Sequence, residues 1–136
     1  KQTATSIYKQ SQFGELVADS TTTSVTFVDL LSVGITLGAG GILLIRFEAS
    51  ASNATNNDQV FFRIQVDGVT KRGAGIISSG AGHAAAAPIT LRVTGLGVGA
   101  HTVKVQWRVD AGTGQVRPAT APDSEHLSIL LEEVTL

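Results

Sequence analysis

The sequence predicts an all-β protein, an antiparallel jelly-roll sandwich of about eight to ten strands. Apolar and polar residues alternate along several segments, most regularly over 101–109, and a period of two is typical of strands with one buried face. Asp67 and Gly68 separate two such runs and form a dipeptide that favours a tight hairpin turn. Helix has little support, because the alanines of 84–87 run directly into Pro88, which disfavours helical backbone in the residue before it.

Strand-like runs separated by turn-forming residues organise the whole chain. Residues 1–12 are mostly polar and are predicted to form an extended N-terminal arm, and residues 13–136 are predicted to form the jelly-roll domain. The predicted strands are, in order, Phe13–Val17, Ser24–Leu30, Ile35–Leu37, Ile42–Ser50, Val60–Val66, Val69–Lys71, Pro88–Leu96, His101–Val109 and His126–Leu136.

The connections between the strands are predicted from segments rich in glycine and other turn-forming residues. The glycine-rich segment Gly97–Ala100 is expected to join Pro88–Leu96 and His101–Val109 as a hairpin. Gly73–Ala87 and Asp110–Glu125 are rich in small and turn-forming residues and are predicted to be loops.

The inward faces of the strands predict the core. Trp107, the only tryptophan, alternates in step with valines, so packing in the core is favoured over stacking on a sugar or a partner's ring. The core residues predicted with it are Phe47, Phe62, Val103 and Val105. Charged residues on the opposite strand faces are expected to be solvated or to form ion pairs between subunits; they are Arg46, Glu48, Arg63, Lys104 and Arg108.

Composition narrows the class of protein. Charged residues make up only 15% of the chain, against about 25% in an average domain. The surface is therefore poor in charge, and we expect other subunits to cover part of it. The net charge of −1 gives no electrostatic reason to expect nucleic acid or an anionic membrane as partner. No apolar run approaches the roughly 20 residues of a membrane-spanning helix.

The chain contains neither cysteine nor methionine. Disulfides and thiolate chemistry are therefore excluded. The joint absence of these two oxidisable residues suits a thermostable particle that persists outside a cell, although chance in a short chain explains it equally well.

Four segments follow one another in a familiar order: 22–30, the Val66–Asp67–Gly68 turn, 99–108 and 127–133. In that order they resemble the compact jelly-roll modules of the tumour-necrosis-factor/C1q type. The resemblance spans residues 20–136, and its most specific part is the strand His101–Arg108. Such modules are found in bacteriophage virion proteins and in bacterial surface or lectin proteins. They usually form threefold trimers, so the resemblance implies a homotrimer.

Catalytic and metal-binding signatures are weak, so we predict no enzyme activity, no cofactor and no metal site. Residues 123–126 contain the letters of a hydrolase triad, but side chains of neighbouring strand residues point in opposite directions and cannot converge. The three histidines lack metal-ligand spacing. The polar loop 52–58 has one carboxylate, too few for a typical calcium site, and its Asn53–Ala54–Thr55 triplet is an N-glycosylation signal that arises often by chance.

Assembly residues are the strongest functional candidates. The arm carries Ile7 and Tyr8, with Phe13 beyond its end, and it either adds to a neighbouring subunit as a strand or is a frayed terminus. Leu44 and Phe61 are apolar side chains on strand faces that are otherwise polar. They are therefore the predicted oligomer interface.

The most concrete prediction is a non-enzymatic virion protein, a homotrimeric head-decoration or fibre module on the particle surface that contacts other virion proteins. One alternative is a secreted or cell-surface module that binds carbohydrate or a receptor, which the low aromatic content of 5% disfavours. Another alternative is a pilin-like extracellular filament subunit that donates its N-terminal strand, with open head-to-tail polymers as the expected product.

Overall fold

The computed structural model describes residues 8–38, 41–77 and 80–134. The strands are β1 (Tyr8–Glu15), β2 (Ser20–Thr22), β3 (Val28–Leu37), β4 (Gly41–Asn53), β5 (Gln59–Val66), β6 (Val69–Ile77), β7 (Ala85–Ala86), β8 (Ile89–Leu96), β9 (Gly99–Val109), β10 (Gly114–Val116) and β11 (His126–Val134). They pair antiparallel in two sheets. The large sheet has the order β1-β11-β4-β10-β2, with β7 and β8 also paired to β4, and the small sheet has the order β3-β9-β5-β6. The predicted antiparallel β-sandwich is confirmed.

The core lies between the sheets and follows the alternation of the sequence. Phe47 of the large sheet meets Phe62 of the small sheet with ring centroids 5.5 Å apart, and Phe62 stacks on Trp107 at 6.2 Å. The structure buries these three side chains together with Val103 and Val105. Burying aromatic side chains of this size removes a large apolar area from water, at about 25 cal/mol per Å², so this cluster is central to folding.

The Asp67–Gly68 hairpin forms as predicted between β5 and β6. Val66 pairs with Val69, and the two turn residues have φ angles of 50° and 82°. Positive φ at both central positions matches the right-handed twist of the flanking strands and is why aspartate and glycine suit the turn.

The second predicted hairpin is wrong. β8 pairs with β4 in the large sheet, whereas β9 pairs with β3 and β5 in the small sheet. The glycine-rich link therefore crosses from one sheet to the other, and Gly95 and Gly99, with φ angles of 78° and 122°, allow the change of direction. Alternation identifies the buried face of a strand but not the sheet to which the strand belongs.

Several strand limits also differ from prediction. The predicted strands Ser24–Leu30 and Ile35–Leu37 are replaced by the continuous β3, which has a bulge between Asp29 and Leu31. β6 continues to Ile77, into a predicted loop, and β7 and β10 lie within predicted loops. These segments contain several glycine and alanine residues, so they pair through backbone hydrogen bonds without an alternating apolar pattern that would predict a strand.

At the N-terminus, the predicted boundary after residue 12 falls inside β1. β1 pairs with β11 of the same chain from Tyr8 to Glu15. Gln10 Nε2 donates to Glu133 Oε1 at 2.9 Å and also to the carbonyl of Thr36. Residues 8–12 are thus held in the sandwich. Ile7 lies outside the described residues, as does the side chain of Tyr8. In the described ranges no helix is long and apolar enough to cross a bilayer.

Candidate functional site

The outer face of the large sheet presents apolar side chains among charged ones. Phe13 on β1 is 59% exposed and lies opposite Leu130, which in turn lies opposite Arg46 of β4. Glu48 and Ser128 complete a shallow cleft of about 260 Å³ beside them. An aromatic ring this exposed, on a strand fixed by regular pairing, is a ready contact for another protein surface.

Leu44 lies on the same outer face, one row along from Phe13. Its neighbours Leu43 and Ile45 are fully buried, so Leu44 points away from the core, and its cross-strand partners are Glu132 and Arg92. It is half-buried, because these long side chains flank it. The structure therefore brings two of the predicted assembly residues, Phe13 and Leu44, onto one surface, which we call the β1–β4 face.

Phe61, the other predicted interface residue, lies on the opposite side of the molecule. It points out of the small sheet and is half-buried beneath Arg108, whose guanidinium carbon is 4.1 Å from the ring centroid. Arg63 covers Phe27 in the same way, also at 4.1 Å. The two aromatic rings and two guanidinium groups form a stacked cluster, an arrangement stabilised by cation–π attraction. Leu44 and Phe61 are therefore on opposite faces of the sandwich.

A chain of polar contacts extends this cluster across the small sheet. Arg63 Nε donates to Gln106 Oε1 at 2.8 Å, and Gln106 Nε2 donates to Asp29 Oδ1 at 2.6 Å. Lys104 Nζ donates to Asp29 Oδ2 at 3.1 Å. The hydrogen bond from Gln106, followed by that from Lys104, lowers the pKa of the Asp29 carboxyl below its usual value. Among the predicted surface charges, Arg63 and Lys104 thus join one network, whereas Arg46 pairs loosely with Glu132 at 3.7 Å.

At one end of the small sheet, His101 joins two connections. Its Nδ1 lies 2.6 Å from Asp67 Oδ2 in the β5–β6 turn, and its Nε2 lies 2.7 Å from the carbonyl oxygen of Gly97 in the β8–β9 link. Asp67 Oδ1 also accepts the backbone N–H of Thr102 at 2.9 Å. Hydrogen bonding to Asp67, then to Gly97, raises the pKa of His101, and hydrogen bonding to His101 lowers the pKa of Asp67.

At the other end, Asn53 closes the loops around the start of β5. Its side chain is fully buried; Oδ1 accepts from the N–H groups of Thr55 at 2.9 Å and Thr113 at 3.2 Å, and Nδ2 donates to the carbonyl of Ala111 at 2.9 Å. The amide nitrogen of the glycosylation triplet is therefore occupied inside the fold. In the described part of the chain, no group of three or more histidine, cysteine, aspartate or glutamate side chains is arranged to hold a metal ion.

The triad-like letters of 123–126 do not form a catalytic arrangement. Glu125 is fully buried, where Oε2 accepts from Ser52 Oγ at 3.1 Å and from the guanidinium of Arg117. His126 is exposed at the start of β11. The geometry gives Glu125 a structural ion pair, and that pair raises the pKa of Arg117.

Sequence reasoning missed two features of these surfaces. Phe27 is remote in sequence from the arginines that stack on it, so nothing in its own segment identifies it. Lys71, Arg72 and Arg92 line one cleft of about 260 Å³ between β6 and β8. Lys71 and Arg72 are adjacent in the sequence and could be recognised as a basic pair. Their proximity to Arg92 could not, because it depends on how the two sheets pack.

No protein-family model and no curated protein sequence matches the chain. Solved structures with similar folds include latent PorU from Porphyromonas gingivalis, with a TM-score of 0.56, 10% identity, and coverage of 93% of this chain and 13% of that one. VP2 of the infectious bursal disease virus subviral particle has a TM-score of 0.52, 13% identity, and coverage of 94% and 38%. The chain thus spans a small part of these two proteins.

A third similar structure matches over its full length. It is the CBM36-1 domain of a multidomain xylanase from the hindgut metagenome of Trinervitermes trinervoides, with a TM-score of 0.51, 12% identity, and coverage of 93% of this chain and 100% of that one. At these identities the likenesses show the fold alone. They support a jelly-roll domain of the kind seen in capsid proteins and carbohydrate-binding modules, whereas the narrower resemblance to tumour-necrosis-factor/C1q modules stays a prediction.

Proposed function

We propose that this chain is a non-catalytic structural module that forms a homotrimer and is displayed on the surface of a virion as a decoration or fibre unit. The observation that carries the proposal is the position of Phe13, an aromatic side chain 59% exposed on a rigid strand, on the same face as Leu44 and Leu130. Covering such a patch gains about 25 cal/mol for each Å² of apolar surface removed from water, before the cost of association.

The two outer faces of the sandwich are compatible with a closed ring of three subunits. In a cyclic trimer each subunit contributes two different surfaces, one to each neighbour, because the contacts are head-to-tail. Leu44 lies on the β1–β4 face and Phe61 on the opposite face, so a single flat contact does not bury both. We assign them to separate contacts, and the stacked arginines beside Phe61 suit a partially polar interface in which arginine is typically enriched.

The similarity to VP2 supports this proposal only at the level of the fold, since it places the chain in an architecture from which a virus builds a particle. The low charge content of 15% agrees with a surface that is partly covered in the assembled state. The threefold symmetry is what the narrower resemblance to tumour-necrosis-factor/C1q modules implies.

The test is the solution mass of the full chain by light scattering, for the wild type and for Phe13→Asp, Leu44→Asp and Phe61→Asp. The wild type is expected at three times the 14.1 kDa mass of one chain, with lower masses for the variants. Val98→Asp is the matched control, because Val98 is 69% exposed in the β8–β9 link and outside both faces, and it should keep the wild-type mass. A monomeric wild type, or variants with an unchanged mass and circular dichroism, would contradict the proposal.

The same measurement distinguishes the trimer from the alternative of a filament subunit. Removing residues 1–7 leaves β1 intact, so a closed trimer should persist without them. Polymers that dissociate on this truncation would instead indicate a subunit that donates its N-terminal segment to the next copy.

A second candidate function, glycan binding, has one specific observation in its favour. The Arg63–Gln106–Asp29 hydrogen-bond chain presents amide, guanidinium and carboxylate groups beside Phe27, a mixture that suits sugar hydroxyl groups. Arginine already covers both rings of the cluster, which leaves less aromatic surface for a sugar. A glycan array probed with wild type and Gln106→Ala would reveal this activity as a signal lost in the variant.

A further inference from the structure

A basic cleft lies along the open side of the sandwich, where β6 of the small sheet and β8 of the large sheet run beside each other. Lys71, Arg72 and Arg92 line it, together with Leu91, Val93 and Thr94. In the described part of the chain, none of the three cations makes an ion pair. Asp67, whose charge interacts with Lys71, is hydrogen-bonded to His101 and to the backbone of Thr102. Three positive charges thus share one cleft, and the one carboxylate that interacts with Lys71 is already bonded elsewhere; this excess of positive charge favours an anionic occupant.

A β-bulge places two of these cations on the same cleft. In the β5–β6 ladder, Ile64 pairs with Arg72 and the next residue, Gln65, pairs with Thr70, so Lys71 has no cross-strand partner. Consecutive residues of a regular strand point to opposite faces, whereas a bulge redirects the side chain of the extra residue. The bulge therefore allows Lys71 and Arg72 to line one cleft although they are adjacent in sequence.

The cleft is also bordered by unpaired backbone. The N–H of Ala87, just before β8, donates to the carbonyl of Ala49 at 2.8 Å. Because β8 continues in the same register, its odd-numbered residues make the backbone hydrogen bonds to β4. The backbone groups of the even-numbered residues consequently point to the free side of β8. The carbonyl of Thr90 accepts a hydrogen bond from Arg72 Nη1 there at 3.0 Å. By the same alternation, the N–H and carbonyl of Arg92, two residues along, point to this free side, where Arg92 lines the cleft.

From these observations we infer that the β6–β8 cleft binds an extended acidic peptide segment of a partner protein, which adds to β8 as a strand and directs its carboxylates to Lys71, Arg72 and Arg92. In an extended peptide every second side chain points the same way, so acidic residues at alternate positions reach the cations together. The free backbone groups of Arg92 supply the main-chain hydrogen bonds that this binding mode requires.

The positive charges also disfavour pairing of this edge with other copies of the chain. Charged side chains, lysine above all, protect exposed sheet edges against unselective pairing. Two β8 edges would bring the like charges of their Arg92 side chains together, which opposes their pairing. The same groups admit a strand that carries carboxylates, so the edge is selective for charge.

The test uses the full chain and a fluorescein-labelled octapeptide of alternating glutamate and valine, with binding followed by fluorescence anisotropy. We expect saturable binding that weakens as salt is raised, no binding of the lysine–valine peptide, and binding at least about tenfold weaker in the Lys71→Gln/Arg92→Gln double variant. Arg46→Gln/Lys104→Gln is the matched control, because it removes the same charge from the two outer faces, and it should bind as the wild type does.

A second probe distinguishes strand addition from simple charge attraction. The glutamate–valine peptide with N-methyl groups at alternate positions keeps its charge but loses the N–H donors on one edge. Two such peptides, methylated in either register, cover both edges, and at least one of them should fail to bind.

Equal binding of the acidic and lysine–valine peptides, undiminished binding of both methylated peptides, equal binding by the double variant, or no binding of the acidic peptide would overturn the inference. Binding of a sulfated heparin hexasaccharide in place of the peptide would also overturn it and identify a glycan site. This inference does not rest on the proposed trimer, because the masses of the same samples are measured independently and either result can fail alone.

Discussion

The two ends of the small sheet are closed by different chemistry. Where β5 begins, the neutral amide of Asn53 is fully buried and bonds to the carbonyl of Ala111 and to nearby loop N–H groups. Where β5 ends, the imidazole of His101 bridges the carboxylate of Asp67 and the carbonyl of Gly97, and Asp67 is largely exposed. A buried amide is costly to remove at any pH, whereas a solvated ion pair contributes less and only in a window of pH.

The comparison shows that the stabilising contribution of a polar side chain between loops depends on how deeply it is buried. Both ends use a side chain to join two connections that are distant in sequence. At the Asn53 end, a fully buried side chain makes three hydrogen bonds to the backbone of the neighbouring loops. At the His101 end, the Asp67 carboxylate is 44% exposed, so water compensates in part for a lost contact. Substitutions at the two ends should therefore differ both in size and in pH dependence.

Asn53→Ala should have the largest effect. It removes a fully buried amide that bonds the N–H groups of Thr55 and Thr113 and the carbonyl of Ala111, three hydrogen bonds worth about 0.5–1.5 kcal/mol each. We expect a loss of about 3 kcal/mol in the free energy of unfolding, measured by urea denaturation. A control is Asn56→Ala, since Asn56 is exposed in the same loop and should be near neutral. Equal effects of the two substitutions would remove the distinction between the ends.

Gly112→Ala tests the importance of the Asn53 hydrogen bonds by a steric clash. Gly112 has a φ of 70°, and an added Cβ would lie 2.5 Å from Asn53 Oδ1 and 2.6 Å from Thr55 Oγ1. We expect a loss of about 2 kcal/mol, the sum of backbone strain at positive φ and displacement of the amide. Gly95→Ala is the matched control, because its φ is 78° and an added Cβ meets nothing within 4 Å. The difference between the two variants in urea denaturation isolates the clash with Asn53, and no difference would contradict its importance.

The sequence alone predicted the general architecture because alternation directly reports which face of a strand is buried. It also identified the Asp67–Gly68 turn, whose backbone conformation depends on those two residues only. It failed at the β8–β9 link, since a glycine-rich connection between two alternating strands looks the same whether they pair or cross between sheets. Pairing partners are set by long-range packing, which a local pattern does not contain.

The candidate sites show the same limit. The sequence suggested that Leu44 and Phe61 point outward, and parity of position is sufficient for that. It did not show that Leu44 and Phe61 lie on opposite faces, because this requires knowing the sheet of each strand. It considered Asn53 as a glycosylation or calcium residue, since its side chain suits both, whereas burial determines its actual role. His101 and Asp67 are separated by 34 residues, and only the pairing of β5 with β9 brings them together.

His101→Asn should have the smallest effect and the only pH-dependent one. Both ring nitrogens face acceptors, Asp67 Oδ2 and the carbonyl of Gly97, and only the protonated imidazole donates from both. The pKa of His101 is accordingly raised above 6.5 in the folded state. Its stabilising contribution is fully present below pH 6.5 and is lost as the pH rises through the raised pKa. For an ion pair with an exposed partner we expect at most about 1 kcal/mol.

The stabilising contribution of Asp67 depends on pH in the opposite direction. Its pKa is lowered below 3.8, so its contribution is present above pH 3.8 and is lost as the pH falls through the lowered pKa. The pair therefore stabilises the fold most between pH 3.8 and 6.5. The difference in free energy of unfolding between wild type and His101→Asn, measured by urea denaturation across pH, should be largest in this window and shrink on both sides. Taking the difference cancels the other titrating groups, and Asn53→Ala should give a flat difference by comparison. Parallel curves for both variants would show that the two ends do not differ in the way their chemistry implies.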